Sequence, residues 1–173
     1  MSLGDVVLRP GGSIAGRVVD ADGAPLPGAW VGIENPARPY DTERPIAAIE
    51  VANAAVATSG RSRRGFRVAD QWFGHVLDPR TGWPAEKIAS VSVVAPDAET
   101  ADVLATVAGV GDSGDAVRIL EGLGGVEGFV VGRDGERRYA DRRTAGPLRR
   151  WRRADGDGPR ALEQRGIRRA HGP

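Results

Sequence analysis

The chain is 173 residues long, carries a formal net charge of +1, and has charged side chains at 27% of its positions. It contains no cysteine, which excludes a disulfide framework, a thiol nucleophile and a thiolate metal site. No apolar run reaches the length of a membrane span or of the apolar region of a signal peptide. The length fits one domain with a hydrophobic core, or part of a larger domain.

The charge is distributed unevenly. Residues 1–132 hold 11 basic and 17 acidic side chains, a net charge of −6, whereas residues 133–173 hold 13 arginines and 6 acids, a net charge of +7. Residues 140–173 are rich in Arg, Gly, Pro and Asp and poor in large apolar side chains, so we expect a disordered, solvated tail. A basic tail could also meet an anionic surface, but we expect no nucleic-acid partner and no membrane span.

Taken in order, the chain opens with a predicted strand over residues 5–8, and we expect no targeting segment before it. Asp22-Gly23 is a hairpin signal between two strand-like runs. Further strands are predicted over 46–51 and 54–58, and the second of these runs into Ser59-Gly60. Ser59 has a hydroxyl that could bind a phosphate group or cap the turn, and the residues alone favour neither.

The central stretch combines a histidine, an acid and a turn. An apolar run over residues 72–77 predicts a strand, which places His75 near a strand end. Asp78-Pro79 followed by Thr81-Gly82 is turn chemistry, because proline fixes φ and glycine accepts a positive φ. The residues alone allow His75 to be a structural or a functional histidine, and Asp78 is first of all a turn former.

Two consecutive helices are predicted next. Residues 91–95 form a β-branched strand that stops at Pro96, and Asp97 is a good N-cap for a helix over 97–109. Asp102 and Thr106 are four residues apart on that helix and share a face, so they could be two oxygen ligands for Mg²⁺ or an ordinary solvated surface. A helix over 112–123 and strands over 126–131 and 136–139 complete the prediction. The expected fold class is α+β, a mostly antiparallel sheet with both helices on one face.

Five motifs, in this order, resemble the C-terminal half of the flavin transferase family, the ApbE-like FAD:protein FMN transferases. Residues 57–60 match A-T-S-G, and Phe66 matches the aromatic strand that follows it. Residues 75–84 match H-x-x-D-P-x-T-G-x-P. Residues 91–96 match the V-x-V-V-A-P strand, and residues 101–106 match A-D-x-L-A-T.

The resemblance implies an ApbE-like (T-fold-like) half domain over residues 5–139. It also implies a Mg²⁺-dependent reaction in which FAD is split at its pyrophosphate, AMP leaves, and FMN is attached to a threonine of a target protein. The implied roles are cation binding by Asp102 and Thr106, and assistance by His75 in deprotonating the acceptor hydroxyl. Asp78 would hold the His75 turn, and Leu77, Ser59 and Gly60 would contact the flavin nucleotide.

Some positions depart from the family pattern. Arg61 and Ser62 stand where the family usually has an acid and an aromatic residue, and nothing here matches the D-x-G-G-[IV]-A-K-G block of the family's N-terminal half. We therefore expect weak or no FAD cleavage by this polypeptide alone, and self-association through the face that the absent half would cover.

Two other functions stay open at this point. One is a non-enzymatic remnant, and the other is a β-rich binding module, because residues 12–31 also resemble the opening of a carboxypeptidase-regulatory-like module. The sequence leaves localisation open. The chain carries no signal and is expected to be cytoplasmic as it stands, whereas full-length relatives are often exported or membrane-anchored.

Overall fold

The computed structural model describes residues 22–24, 29–41, 44–141 and 151–153. The strands in these ranges are β1 (Ala29–Ile33), β2 (Ala47–Val51), β3 (Ala55–Gly60), β4 (Gly65–Val68), β5 (Gln71–Gly74), β6 (Ile88–Ala95), β7 (Glu127–Gly132), β8 (Arg137–Asp141) and β9 (Trp151–Arg153). The helices are α1 (Ala98–Ala108) and α2 (Ser113–Glu121), which lie between β6 and β7.

The strands form three sheets, and every pairing between them is antiparallel. The four-stranded sheet has the order β3-β6-β7-β8, the three-stranded sheet has the order β1-β2-β9, and β4 and β5 make a separate hairpin. Antiparallel sheets with two consecutive helices confirm the predicted α+β class.

Strand β6 lies at the centre of the core. All its residues except Ala89 are buried, because both faces of the four-stranded sheet are covered. On one face, Val91, Val93 and Ala95 pack with buried residues of α1 and α2. On the other face, Val94 packs with Ile33, Ile49 and other residues of the three-stranded sheet. A strand buried on both faces explains the near-continuous apolar sequence of residues 91–95.

Both helices are capped by an aspartate: Asp97, as the sequence predicts, and Asp112. An Asp97 carboxylate oxygen accepts a hydrogen bond from the Thr100 amide (2.8 Å), and Asp112 accepts one from the Asp115 amide (2.9 Å). These backbone hydrogen bonds lower the pKa of each cap carboxyl, since they stabilise its charged form. No helix in the described ranges has the length and apolar character needed to cross a membrane.

The structure differs from the sequence prediction at two places. The strand predicted over 72–77 ends at Gly74, because the chain changes pairing partner: the His75 amide donates to the Arg64 carbonyl, while Leu77 pairs with Pro84. Residues 151–153 form β9 against β2, inside the stretch expected to be a tail. The predicted strand over 5–8, the strands flanking Asp22-Gly23 and the rest of the tail lie outside the described residues.

We predict that Leu120→Ala lowers the free energy of unfolding by about 2–5 kcal/mol, because it empties a fully buried site under α2. The side chain fits there because β7 has a glycine beneath it: a Cβ on Gly128 would lie 2.4 Å from Leu120 Cδ1. Urea unfolding followed by circular dichroism measures the change. Leu123→Ala, at a position that is 38% exposed, is the matched control and should cost clearly less.

Candidate functional site

The alternation of side chains along β3 determines which of its residues face α1. Ala55 and Ala57 pack into the core cluster that lies under the helices, so Ser59, two residues further on, also faces α1. On α1, Ala101, Ala105 and Ala108 are buried. These small side chains let the helix approach the strand closely, and the hydroxyls of Ser59 and Thr106 share a hydrogen bond of 2.8 Å.

A small pocket that opens to solvent lies beside this hydroxyl pair. Gly60 belongs to its wall, and glycine is needed there because a Cβ would come within 2.9 Å of the Ala89 carbonyl oxygen. The wall is contributed by the end of β3, the end of β5, the segment before β6 and the last turn of α1. Its residues are Ser59, Gly60, Arg61, Gly74, Val76, Ala85, Ile88, Thr106 and Gly109.

Asp102 is exposed and lies one helical turn before Thr106 on α1. Among the described residues there is no group of three or more His, Cys, Asp or Glu side chains that could hold a metal ion. Asp102, Thr106 and Ser59 offer one carboxylate and two hydroxyls as side-chain oxygen ligands. This set fits Mg²⁺ in the way that Mg²⁺ often binds, through one or two carboxylates with substrate phosphates and water completing the shell.

His75 lies directly after β5 and is exposed. Its Nδ1 is 3.2 Å from the Arg64 carbonyl oxygen, and its backbone amide donates to the same oxygen at 3.3 Å. A carbonyl oxygen only accepts hydrogen bonds, so the contact favours a proton on Nδ1 and leaves the Nε2 lone pair free in the neutral ring. The histidine is thus oriented by the β4–β5 hairpin.

Residues 75–85 form a closed loop, the His75 loop, which begins at His75. The Ala85 amide donates to the Val76 carbonyl (2.8 Å), Leu77 pairs with Pro84, and the Asp78 amide donates to the Trp83 carbonyl (2.8 Å). The Leu77 side chain is 54% exposed. At the tip, the Thr81 and Gly82 amides donate to the Asp78 carbonyl, and Gly82 has a φ of +71°. The predicted turn is present.

The Asp78 carboxylate binds Arg80. One of its oxygens accepts from the Arg80 amide and Nε (both 2.9 Å), and the other accepts from Nη2 (2.7 Å). The hydrogen bonds from the Arg80 side chain are the main reason that the pKa of Asp78 falls to about 2. No contact joins this carboxylate to His75 in the described part of the chain. Asp78 acts on the loop that carries His75 and not on the imidazole ring.

Some of the predicted site residues line the pocket, and others do not. Ser59, Gly60 and Thr106 line it together, and Gly74 and Val76, which flank His75, line it as well. His75, Leu77, Asp78 and Asp102 are not among its lining residues. Arg61 was not predicted as a site residue, although its position directly after the Thr-Ser-Gly sequence and its departure from the family pattern were signals that could have found it.

The chain is similar in sequence to FAD:protein FMN transferases. The FAD:protein FMN transferase of Salmonella typhimurium is 34% identical over 99 residues, which are 56% of this chain and 26% of that protein. The protein of the same name from Haemophilus influenzae is 35% identical over 103 residues, 58% of this chain and 28% of its own length. The chain thus spans about a quarter of the length of these curated relatives.

A solved structure shares the fold. The crystal structure of the ApbE protein of Thermotoga maritima superposes with a TM-score of 0.59 at 31% identity, covering 67% of this chain and 37% of that one. The sequence model of the ApbE family matches residues 3–130, which include the His75 loop, the hydroxyl pair and both helices. The motifs, the fold and these matches agree, and the chain belongs to the ApbE family.

Proposed function

We propose that this chain supplies the cation-binding and acceptor-activating part of an FAD:protein FMN transferase. The reaction would split the pyrophosphate of FAD, release AMP and attach FMN to a threonine of a target protein. The observation that carries the proposal is the Ser59–Thr106 hydroxyl pair on the pocket wall, with Asp102 one turn away and the His75 loop at its edge. It belongs to a chain whose curated relatives are FAD:protein FMN transferases.

The residues of the α1 side would bind a cation. Asp102 would supply the negative charge, while the Thr106 hydroxyl, with Ser59 beside it, would supply neutral oxygen ligands. When bound, Mg²⁺ would neutralise charge on the pyrophosphate oxygens and favour departure of AMP. The Ser59 and Thr106 hydroxyls now satisfy one another, so their mutual hydrogen bond would be exchanged for contacts to the ion or to the phosphate oxygens.

The residues of the loop side would orient and activate the acceptor. The Arg64 carbonyl favours a proton on His75 Nδ1, so Nε2 is the nitrogen that would accept a proton from the incoming threonine hydroxyl. The Leu77 backbone, held in register by its pairing with Pro84, would contact the flavin nucleotide. Gly60 would let the nucleotide approach the end of β3 closely. Asp78 would keep the loop in shape through Arg80.

The proposal includes low activity for the chain by itself. It spans 26% of the Salmonella relative, and the loop that follows His75 exposes two large apolar side chains, Leu77 (54%) and Trp83 (70%). We propose that further protein surface is needed to enclose the flavin. FAD would then bind weakly to this chain and turn over slowly or not at all.

The first prediction concerns Asp102. With FAD and MgCl₂, we expect weak Mg²⁺-dependent flavin binding, measured by fluorescence, and slow AMP release, measured by chromatography. Asp102→Asn should reduce any release by at least about a hundredfold, because a bound cation supplies several kcal/mol of charge stabilisation. Glu99→Gln, which removes an exposed acid one turn earlier on the same helix, is the matched control and should leave both readouts unchanged.

The outcomes separate the candidate functions. Release that is lost in Asp102→Asn and kept in Glu99→Gln would support the proposed transferase. Binding without release would support a partial pocket. Equal release by wild type and Asp102→Asn would contradict the cation role of Asp102.

A second candidate function is a non-enzymatic remnant that self-associates. The observation that favours it is the exposure of Val103 (54%) and Val107 (49%), which are four residues apart on α1. This function predicts no response to FAD or Mg²⁺ and a mass that rises with concentration in sedimentation. The β-rich binding module is less well supported, because the ApbE family match runs through residues 12–31.

The second prediction concerns the Asp78–Arg80 contact. The pKa of Asp78 is lowered from 3.8 to about 2, so its ionised form stabilises the folded loop above pH 3.8, and this contribution is lost as the pH falls through about 2. The difference in unfolding free energy between wild type and Asp78→Asn should therefore be constant at neutral pH and shrink between about pH 4 and pH 2. Urea unfolding across this range measures it.

The control for this prediction is the same pair of measurements in an Arg80→Gln background. Because Arg80 is the main cause of the shift, the pH dependence of the Asp78→Asn effect should become much smaller there. An effect of equal size in both backgrounds would contradict the assignment.

A further inference from the structure

Arg61 lies at the base of the loop that carries His75. It follows Gly60 at the end of β3, and its own amide donates to the Ala89 carbonyl on β6 (3.1 Å). The residue is half-buried and lines the pocket beside Ser59. Its backbone is therefore fixed to the four-stranded sheet, while its side chain is free to reach the neighbouring hairpin and loop.

The guanidinium group joins the two ends of that loop. Nη2 donates to the carbonyl of Trp72 on β5 (3.2 Å), and Nη1 donates to the carbonyl of Glu86 (3.4 Å). Trp72 precedes His75 by three residues, and Glu86 follows the last residue of the closed loop. In return, the Trp72 indole Nε1 donates to the Arg61 carbonyl (2.5 Å). One side chain thus ties the entry and the exit of the loop to the sheet.

The packing at Gly74 is shaped around this contact. A Cβ on Gly74 would lie 2.9 Å from Arg61 Cβ and 3.4 Å from Arg61 Cα. The strand that leads into His75 can approach Arg61 this closely only because residue 74 has no side chain. Gly74 therefore packs against the stem of Arg61 and not only against its flexible end.

Arg61 has no carboxylate partner among the salt bridges of the described residues. Its side-chain hydrogen bonds go to two backbone carbonyls instead. The planar donors of a guanidinium group suit this bridging of two acceptors. The other arginines of this region are placed differently: Arg67, for example, is exposed and donates only within its own hairpin, to the Asp70 carbonyl (3.0 Å).

We propose that Arg61 is a positioning residue that clamps the base of the 75–85 loop and so holds His75 at the edge of the pocket. The inference rests on the proposed role of His75 for its functional meaning. The clamp can be tested without FAD turnover, because it concerns only the position and stability of the loop. Its failure can therefore be told apart from failure of the proposed transferase function.

The first test measures backbone amide hydrogen exchange by NMR in wild type, Arg61→Gln and Arg61→Lys. The amides of Asp78 and Ala85, which donate inside the loop, should exchange at least about tenfold faster in both variants, since two hydrogen bonds to the clamp are lost or weakened. The amides of Val93 and Val130 in the central strands should keep their wild-type rates. Arg67→Gln and Arg67→Lys are the matched controls and should leave the loop unchanged.

The second test uses the imidazole ring as a probe. In a His171→Gln background His75 is the single histidine, so its ¹⁵N shifts report its tautomer without assignment ambiguity. Wild type should show a preference for the Nδ1-protonated form, and Arg61→Gln should move the ring toward the tautomer mixture of a free histidine. Arg67→Gln should keep the wild-type shifts.

Unchanged loop exchange and unchanged His75 shifts in Arg61→Gln would overturn the clamp. Equal acceleration of exchange in the loop and in the central strands would also overturn it, because Arg61 would then support the whole fold and not this loop. If FAD turnover is measurable, Arg61→Lys should lower kcat and leave the KM for FAD unchanged. A raised KM with an unchanged kcat would overturn positioning in favour of a direct phosphate contact.

Discussion

The register between β3 and β6 is the constraint on which the rest of the structure depends. Strand β6 is buried on both faces, and Ser59 of β3 lies opposite its Val91. Because side chains alternate along a strand, a slip of one residue would turn Ala55, Ala57 and Ser59 away from the helices. The same slip would place Thr58, which now shares a hydrogen bond with buried Ser92, against α1. The hydroxyl pair with Thr106 exists because the core fixes this register.

The two sides of the site are held by different forces. The α1 side is positioned by close packing of alanines in the hydrophobic core, and the described residues show no ion pair on it. The loop side is held by backbone pairing, by Arg61 at its base and by the Asp78–Arg80 contact at its tip. Deforming a packed core costs more free energy than opening an exposed polar contact. The proposed cation ligands are therefore placed more rigidly than the His75 loop, and adjustment to a substrate would fall mainly on the loop.

The sequence predicts the parts of the fold that local chemistry determines. The β-branched run over residues 91–95 and the capping residue Asp97 each carry a strong local signal, and both predictions are confirmed. The proximity of Asp102 to Thr106 also follows from helical spacing alone. The resemblance selected Ser59 and Gly60, and the structure brings Ser59 to Thr106 from 47 residues away, a distance in sequence that no local pattern resolves.

The parts that the sequence did not predict are tertiary. The apolar run over residues 72–77 has no internal break, so it does not show that pairing changes partner at His75. Strand β9 is three residues long, and it is held by β2 and by the Trp151 ring against Phe129, with centroids 5.7 Å apart. Arg63 pairs with Glu34 and lies 4.3 Å over the Tyr40 ring, contacts that no local pattern predicts. Each of these contacts depends on residues that are distant in sequence.

The charge of the site bears on how a cation and a pyrophosphate would bind. Asp102 is one carboxylate beside two neutral hydroxyls, so a divalent cation there would keep about one unit of positive charge. The described residues hold no group of three acidic or other metal-ligating side chains that would balance this charge. The pyrophosphate of FAD would balance it, and the cation would in turn neutralise part of the pyrophosphate charge. Binding of the cation and of the nucleotide would therefore strengthen one another, and this coupling is reciprocal by thermodynamic necessity. Under the proposed function, a single acid would thus suit a cation that arrives with its substrate.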